Sequence, residues 1–257
     1  MTLSADLRAA YGAAGAAWSA GPTGVYAALA VPLVDEVGPA AGLTALDVGT
    51  GGGSVADLLR ARGARVVASD QALGMLRAGT DRPPAVVADV ATLPFVDGSF
   101  DVVTAGFVLN HLADPGPAVR ELARVGRRVV ATTFAEEAAP EVKRGLHEVA
   151  LTHGYCSPAW YDALPGGPLH LPSRQEAMTV LLSAGLRGVR VERADVVLPL
   201  RAEQVLAWRW GMAQYAPFVG GLEPARRAAL DAAALARLPE QHDVSFALLV
   251  MSGQPSS

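Results

Sequence analysis

Four side chains stand where they could do chemistry. Each closes or follows a short apolar run: Asp47, then Asp70, Asp89 and His111. Asp47 is followed by Gly49-Thr50-Gly51-Gly52-Gly53, a turn nearly free of side chains that lets a large or negatively charged group reach main-chain N–H donors. A helix expected over Ser54 to Arg62 would aim the positive end of its dipole at the same turn. Asp70 lies roughly 20 residues further on, the distance at which a ribose diol finds a carboxylate acceptor. Asp89 ends the next apolar run, where an adenine amino group could donate. Together these positions look like a nucleoside site. His111 has two readings: a side chain packed at a helix start and bonded to backbone, or a general base whose ordinary pKa suits neutral pH.

The elements that must position these residues alternate in a parallel-sheet rhythm. Strands are expected at Thr44 to Val48, Arg65 to Ser69, Ala85 to Ala88, Asp101 to Ala105 and Arg128 to Phe134, with helices at Ser54 to Arg62, around Ala72 to Ala78 and from Pro117 to Val125. After Phe134 the rhythm fails. Residues 135–172 hold a helix over Glu141 to Thr152 and then a Gly- and Pro-rich stretch, and such an excursion in a compact domain reads as a lid. Ser173 and Glu176 have capping-box spacing and open a helix ending near Gly185. Val189 to Leu198 and Val244 to Met251 read as strands separated by a helical insertion, 201–240, and Gly253 to Ser257 as a frayed tail. The expected fold class is α/β: a Rossmann-like, doubly wound, mostly parallel seven-stranded sheet with a C-terminal antiparallel strand and helical lid insertions. Residues 1–257 form one domain, with 1–42 a helical cap and 43–134 the cofactor-binding core.

On these residues the chain resembles the class I S-adenosylmethionine-dependent methyltransferases, in particular the small-molecule type related to quinone biosynthesis. Asp47-Val48-Gly49-Thr50-Gly51-Gly52-Gly53 matches their first motif and Val67-Ala68-Ser69-Asp70, with Met75-Leu76 behind it, the second. Ala88-Asp89-Val90 through Leu93-Pro94-Phe95-Val96-Asp97-Gly98-Ser99-Phe100-Asp101 matches the third, and Phe107 to Leu112 the segment after strand four. The resemblance implies that Gly49, Thr50 and Gly51 pack against the methionine part of S-adenosylmethionine. It also implies that Asp70 holds the ribose, Gln71 and Met75 flank the adenine, and Asp89 with the Val90 backbone reads its edge. Phe107 would offer its carbonyl at the amino-acid end, and Tyr11 and Trp18 would close over the site from the cap. The family's Pro-Gly-Gly turn before strand five is replaced here by a shortened turn in Ala123-Arg124-Val125-Gly126-Arg127-Arg128-Val129.

The implied activity is methyl transfer to a small acceptor, an apolar or aromatic metabolite of secondary metabolism, with His111 the first choice of base. Two alternatives stand: a chain of the same fold that binds the cofactor without transferring methyl, and an NAD(P)-binding oxidoreductase, because Gly51 to Ala56 also satisfies G-x-G-x-x-A. Aromatic residues crowd the two insertions, so Tyr155, Trp160, Trp208, Met212 and Tyr215 are candidate substrate contacts. Core packing explains such a stripe equally well. Arg209 reads as a solvated residue or a lid-to-core ion pair ahead of a partner for a substrate carboxylate.

Composition excludes other classes. With 257 residues, a formal charge of −4 and a pI near 5.7, the chain lacks the clustered basic residues a nucleic-acid partner needs. A lone Cys156 rules out an internal disulfide and suits a reducing cytoplasm. The histidines lack metal-ligand spacing, so no metal is expected, and no membrane partner, since Val25 to Val34 is short and carries Pro32. The oligomeric state is left open.

Overall fold

The computed structural model describes residues 5–78, 81–135, 140–162 and 173–256. Three helices come first: α1 (Ala5–Ala20), α2 (Pro22–Leu29) and α3 (Val31–Val37). The parallel part then runs β1 (Thr44–Val48), α4 (Ser54–Ala61), β2 (Arg65–Asp70), α5 (Leu73–Arg77), β3 (Ala85–Val87) and β4 (Val102–Gly106). A short 3-10 turn, Leu109–His111, leads to α6 (Gly116–Val125) and β5 (Val129–Phe134). Next come α7 (Pro140–Thr152), α8 (Ala159–Asp162), α9 (Arg174–Ser183) and β6 (Leu186–Arg201). The chain closes with α10 (Ala202–Trp210), α11 (Ala216–Gly220), α12 (Pro224–Leu235) and β7 (Gln241–Pro255).

The seven strands lie in the order β3-β2-β1-β4-β5-β7-β6, with β7 antiparallel to both neighbours. The chain order reverses between β1 and β4, and at such a switch point the strand ends splay apart to leave a crevice. β1 and β4 are buried on both faces, as the apolar runs require: α6 and α9 cover one side, α3 and α4 the other. Ser173 caps α9 by accepting the Glu176 N–H, and the Glu176 side chain accepts the Ser173 N–H in return.

The C-terminal pair is longer than the sequence suggested. Val129 pairs with Gly253 and Phe134 with Leu248, so residues 253–255, expected as a frayed tail, are strand. A ladder hides its own main-chain groups, and this extension pairs Arg187 with Gln254 and Leu186 with Pro255. The other half of the β6–β7 ribbon runs past the end of β5 as far as the Arg201–Gln241 pair. There Val244, Phe246 and Leu248 face a second apolar core built with α2, α7, α10 and α12. Residues 163–172 of the first insertion lie outside the described residues.

Candidate functional site

The crevice at the ends of β1, β2 and β4 is a cleft of about 980 Å³, counting its open mouth. Its floor is the glycine turn. Gly49 has φ +64° and a Cβ there would collide with the Val108 side chain, so both backbone angle and space demand glycine. The turn is pinned at three points: the Thr50 N–H donates to the Ser69 carbonyl (2.9 Å), the Gly53 N–H to the Thr50 carbonyl (2.7 Å), and the Arg82 guanidinium to the Gly51 carbonyl (3.0 Å).

Two carboxylates flank the floor. Asp70 accepts the Gly51 N–H at 3.0 Å and the Ala72 N–H at 2.8 Å, which orients its plane and leaves acceptor capacity towards the cleft. Burial pushes its pKa up against those two amides and the Arg82 charge. Asp47 is buried at the end of β1, and one oxygen accepts the Thr104 hydroxyl at 2.9 Å. The other oxygen has no partner, nor has the Thr50 hydroxyl. Burial lifts Asp47 to about 6, with the Thr104 hydroxyl pulling the other way.

The cleft's upper wall is aromatic and comes from the cap. α1 lies directly on α5, where a Cβ on Gly74 would strike the Gly12 backbone, and this close seat brings Tyr11 and Trp18 over the glycine turn. Trp18 stacks 5.1 Å from Tyr26, and Tyr26 meets the Phe107 ring edge-on at 5.2 Å. Phe107 holds φ +59°, an unusual angle for a bulky residue, stabilised by its N–H donating to the Thr132 carbonyl at 2.8 Å. The Tyr11 hydroxyl lies 3.3 Å from His111 Nε2, while His111 Nδ1 is sealed without a partner. Burial depresses His111 to about 4, so its ring is neutral at pH 7, and raises the Tyr11 phenol.

Of the residues expected from sequence, Tyr11, Trp18, Gly49, Thr50, Gly51, Asp70, Gln71, Met75, Val90, Phe107 and His111 all line this cleft. Asp89 stands beside it and does not line it: Ala88 and Val90 do, while the Asp89 carboxylate accepts the Ala91 N–H at 2.9 Å. The five candidate substrate contacts are elsewhere. Tyr155, Trp208 and Tyr215 are buried in the second core, Met212 packs beneath Trp18 and Tyr26, and Trp160 joins Tyr11 in a small cluster with α11. Arg209, expected as solvated or ion-paired, is 5% exposed and makes no ion pair among the described residues. Tyr26 and Arg8 also line the cleft and escaped sequence reasoning, because α1 and α2 carry no motif and only their packing brings them there. Among the described residues no cluster of His, Cys, Asp and Glu could hold a metal ion, and no helix is long and apolar enough to cross a membrane.

A cationic nucleoside fits these walls. Asp70 suits a ribose diol, the orphaned Asp47 oxygen and Thr50 hydroxyl await polar partners, and the ring faces of Tyr11, Trp18 and Tyr26 favour positive charge. A pyrophosphate would meet two carboxylates here, with Arg8 as its one cationic neighbour among the lining residues.

Comparison with known proteins agrees. Residues 46–130 match the methyltransferase domain family. That core is a class I S-adenosylmethionine-dependent methyltransferase domain. A demethylmenaquinone methyltransferase of Clavibacter sepedonicus is 42% identical to this chain over 118 residues, covering 42% of the chain and 48% of the relative. The chain thus spans about half the length of the curated relatives it matches. Among solved structures, the YcgJ protein of Bacillus subtilis superposes with a TM-score of 0.53 at 16% identity, over 89% of this chain and 98% of that one. Phosphoethanolamine N-methyltransferase 2 of Haemonchus contortus, in complex with S-adenosylmethionine, gives 0.51 at 16% identity, over 89% and 52%. Identities this low speak for the fold alone.

Proposed function

We propose that the chain as a whole, one domain with residues 1–42 as cap and 135–172 and 201–240 as lids, transfers a methyl group from S-adenosylmethionine to an apolar or aromatic small molecule. The observation that carries this reading is the joining of a glycine turn and an oriented Asp70 to a roof of aromatic rings in one cleft. The cofactor, when bound, supplies an electrophilic methyl group on a sulfonium. The remaining work falls to this chain: Asp70, Gln71 and Met75 hold the nucleoside, the turn from Gly49 to Gly51 seats the amino-acid end with Phe107 opposite, and Tyr11 and Trp18 exclude water. Alignment and dehydration of the nucleophile supply most of the acceleration in such a displacement.

His111 is the proposed base. For that role the acceptor's proton passes to Nε2 through the Tyr11 hydroxyl 3.3 Å away, which gives up its own proton as it takes the acceptor's, because Nδ1 is sealed. A ring held near pKa 4 is a weak base, so the acceptor must carry an acidic hydroxyl or arrive ionised. A reduced naphthoquinone, the acceptor suggested by the relatives' name, meets that condition and is the first to try. The free, exposed Cys156 suits a reducing cytoplasm as the place of action.

Incubation with methyl-labelled S-adenosylmethionine and a panel of quinols and phenols is the test. Label in the acceptor with release of S-adenosylhomocysteine is the expected result. Tight cofactor binding without release for any acceptor would favour a non-methylating catalyst on the same fold. Replacing His111 by Ala and finding turnover unchanged would take it out of the chemistry.

A further inference from the structure

In the second core, α10 buries a guanidinium in a box of rings. The Arg209 side chain lies 5.3 Å from the Trp208 ring centroid and 5.4 Å from that of Tyr215. Its Nε is sealed from solvent with no hydrogen-bond partner, and no carboxylate pairs with it among the described residues. Ring faces offset part of a buried cation's lost hydration, and the Tyr215 hydroxyl accepts from the guanidinium, but Nε is left without an acceptor. A second orphan lies in the same box: the Tyr155 hydroxyl, also buried and unpartnered, on a ring 4.8 Å from Tyr215. The Tyr215 hydroxyl is shared between the Arg209 guanidinium and His147 Nδ1, the latter at 2.9 Å. Buried polar groups in native proteins have partners, and three orphans in one aromatic box, Arg209 Nε, the Tyr155 hydroxyl and Trp208 Nε1, mark a place where a bound polar group completes the set.

The box is next to the cleft. Tyr26 lines the cleft, and the Arg209 charge is close enough to pull its phenol pKa down against burial, as it does for Tyr215. Tyr26 packs against the cluster that holds Trp208 and Tyr215, so its ring stands between the cleft and the Arg209 box.

We propose that Arg209 anchors a carboxylate on the methyl acceptor, so that the substrate class is aromatic acids with the Tyr155 hydroxyl as a second donor. This deepens the proposed function and rests on the cleft being a methyl-acceptor site. A guanidinium between two rings recognises a planar carboxylate in both charge and shape, and the surrounding rings match the aromatic body of such a ligand.

Calorimetry on the full chain saturated with S-adenosylhomocysteine, titrated with naphthoate and with the matched neutral naphthamide, tests this. The acid should bind at least about tenfold more tightly than the amide, the preference expected from one charge-assisted contact. In Arg209→Gln the preference should vanish while S-adenosylhomocysteine still binds, and Arg209→Lys should restore part of it. Equal binding of acid and amide by the unaltered chain, or no binding of the acid, overturns the proposal even if a variant fails to fold. So does a preference that appears only without S-adenosylhomocysteine, since the guanidinium would then serve the cofactor's own carboxylate. A chain that binds S-adenosylhomocysteine without preferring the acid loses the anchor and keeps the methyltransferase reading. One that binds no S-adenosylhomocysteine loses both.

Discussion

At the ends of β1, β2 and β4 the backbone makes the site, and side chains only trim it: Gly49 and Gly51 shape the floor, and Asp70 is held by two main-chain amides. Above the outer half of the β6–β7 ribbon the reverse holds, for there Phe246, Trp208, Tyr215 and Leu230 fill a core whose backbone is ordinary helix and strand. The first region tolerates little change because its turn admits few residue types. The second tolerates many sequences provided volume and polarity are kept. The proposed cofactor site thus sits on the constrained region and the proposed acceptor anchor on the permissive one, a division that would let one fold serve many substrates.

The division breaks if damage in one region is felt in the other. Phe246 is fully buried against Trp208, and Phe246→Ala should lower stability by about 3–5 kcal/mol in a denaturant titration. Its S-adenosylhomocysteine affinity should stay within about threefold of the parent, because Phe246 itself does not line the cleft. A larger loss would mean that the ribbon core holds the cofactor cleft in shape.

The converse substitution, Asp70→Asn, removes the acceptor proposed for the ribose and should weaken S-adenosylhomocysteine binding by about tenfold to a hundredfold. The midpoint of urea unfolding should hold or rise, since burial already opposes the Asp70 charge. Unchanged affinity would remove Asp70 from the cofactor site.

Acid titration sharpens the comparison, because His111 and Asp47 both lie in the constrained region and pull in opposite directions. His111 falls from an unfolded value of 6.5 to about 4, so the folded chain prefers the neutral ring and stability is lost as pH drops from 6.5 towards 4. Asp47 rises from 3.8 to about 6, so the folded chain prefers the neutral acid and stability is lost as pH climbs over that interval. Between pH 5 and 7 His111 adds about 2 kcal/mol and Asp47 takes away about 1 kcal/mol. His111→Asn should therefore flatten or reverse the rise in stability over this range, and Asp47→Asn should steepen it. Two variant profiles that both follow the parent would show that neither group is as buried as the cleft requires.

The smallest effect belongs to the joint between the regions. Tyr11→Phe removes the 3.3 Å contact to His111 and should lower turnover about twofold to tenfold with cofactor affinity unchanged. A loss of affinity instead would make Tyr11 a cofactor contact and nothing more.

The sequence alone determined the parallel half of this protein. A turn that needs positive φ can be met by very few residues, and an acidic residue ending an apolar run is a local pattern, so Gly49, Gly51 and Asp70 were legible without coordinates. The family resemblance marked Met75 and Phe107, and its place after strand four marked His111, as neighbours of the site, and all three line the cleft. Tertiary structure alone decided the rest. Aromatic spacing in α10 could not say whether Trp208 faces a ligand or a core, because both demand the same apolar face, and packing against Phe246 put it in the core. Tyr26 entered the cleft and Arg209 was sealed behind it through contacts between helices far apart in the chain, which no local pattern encodes. The ribbon was misjudged at both ends for a similar reason: strand length there is set by the partner strand's hydrogen bonds, and a single strand's sequence does not contain its partner.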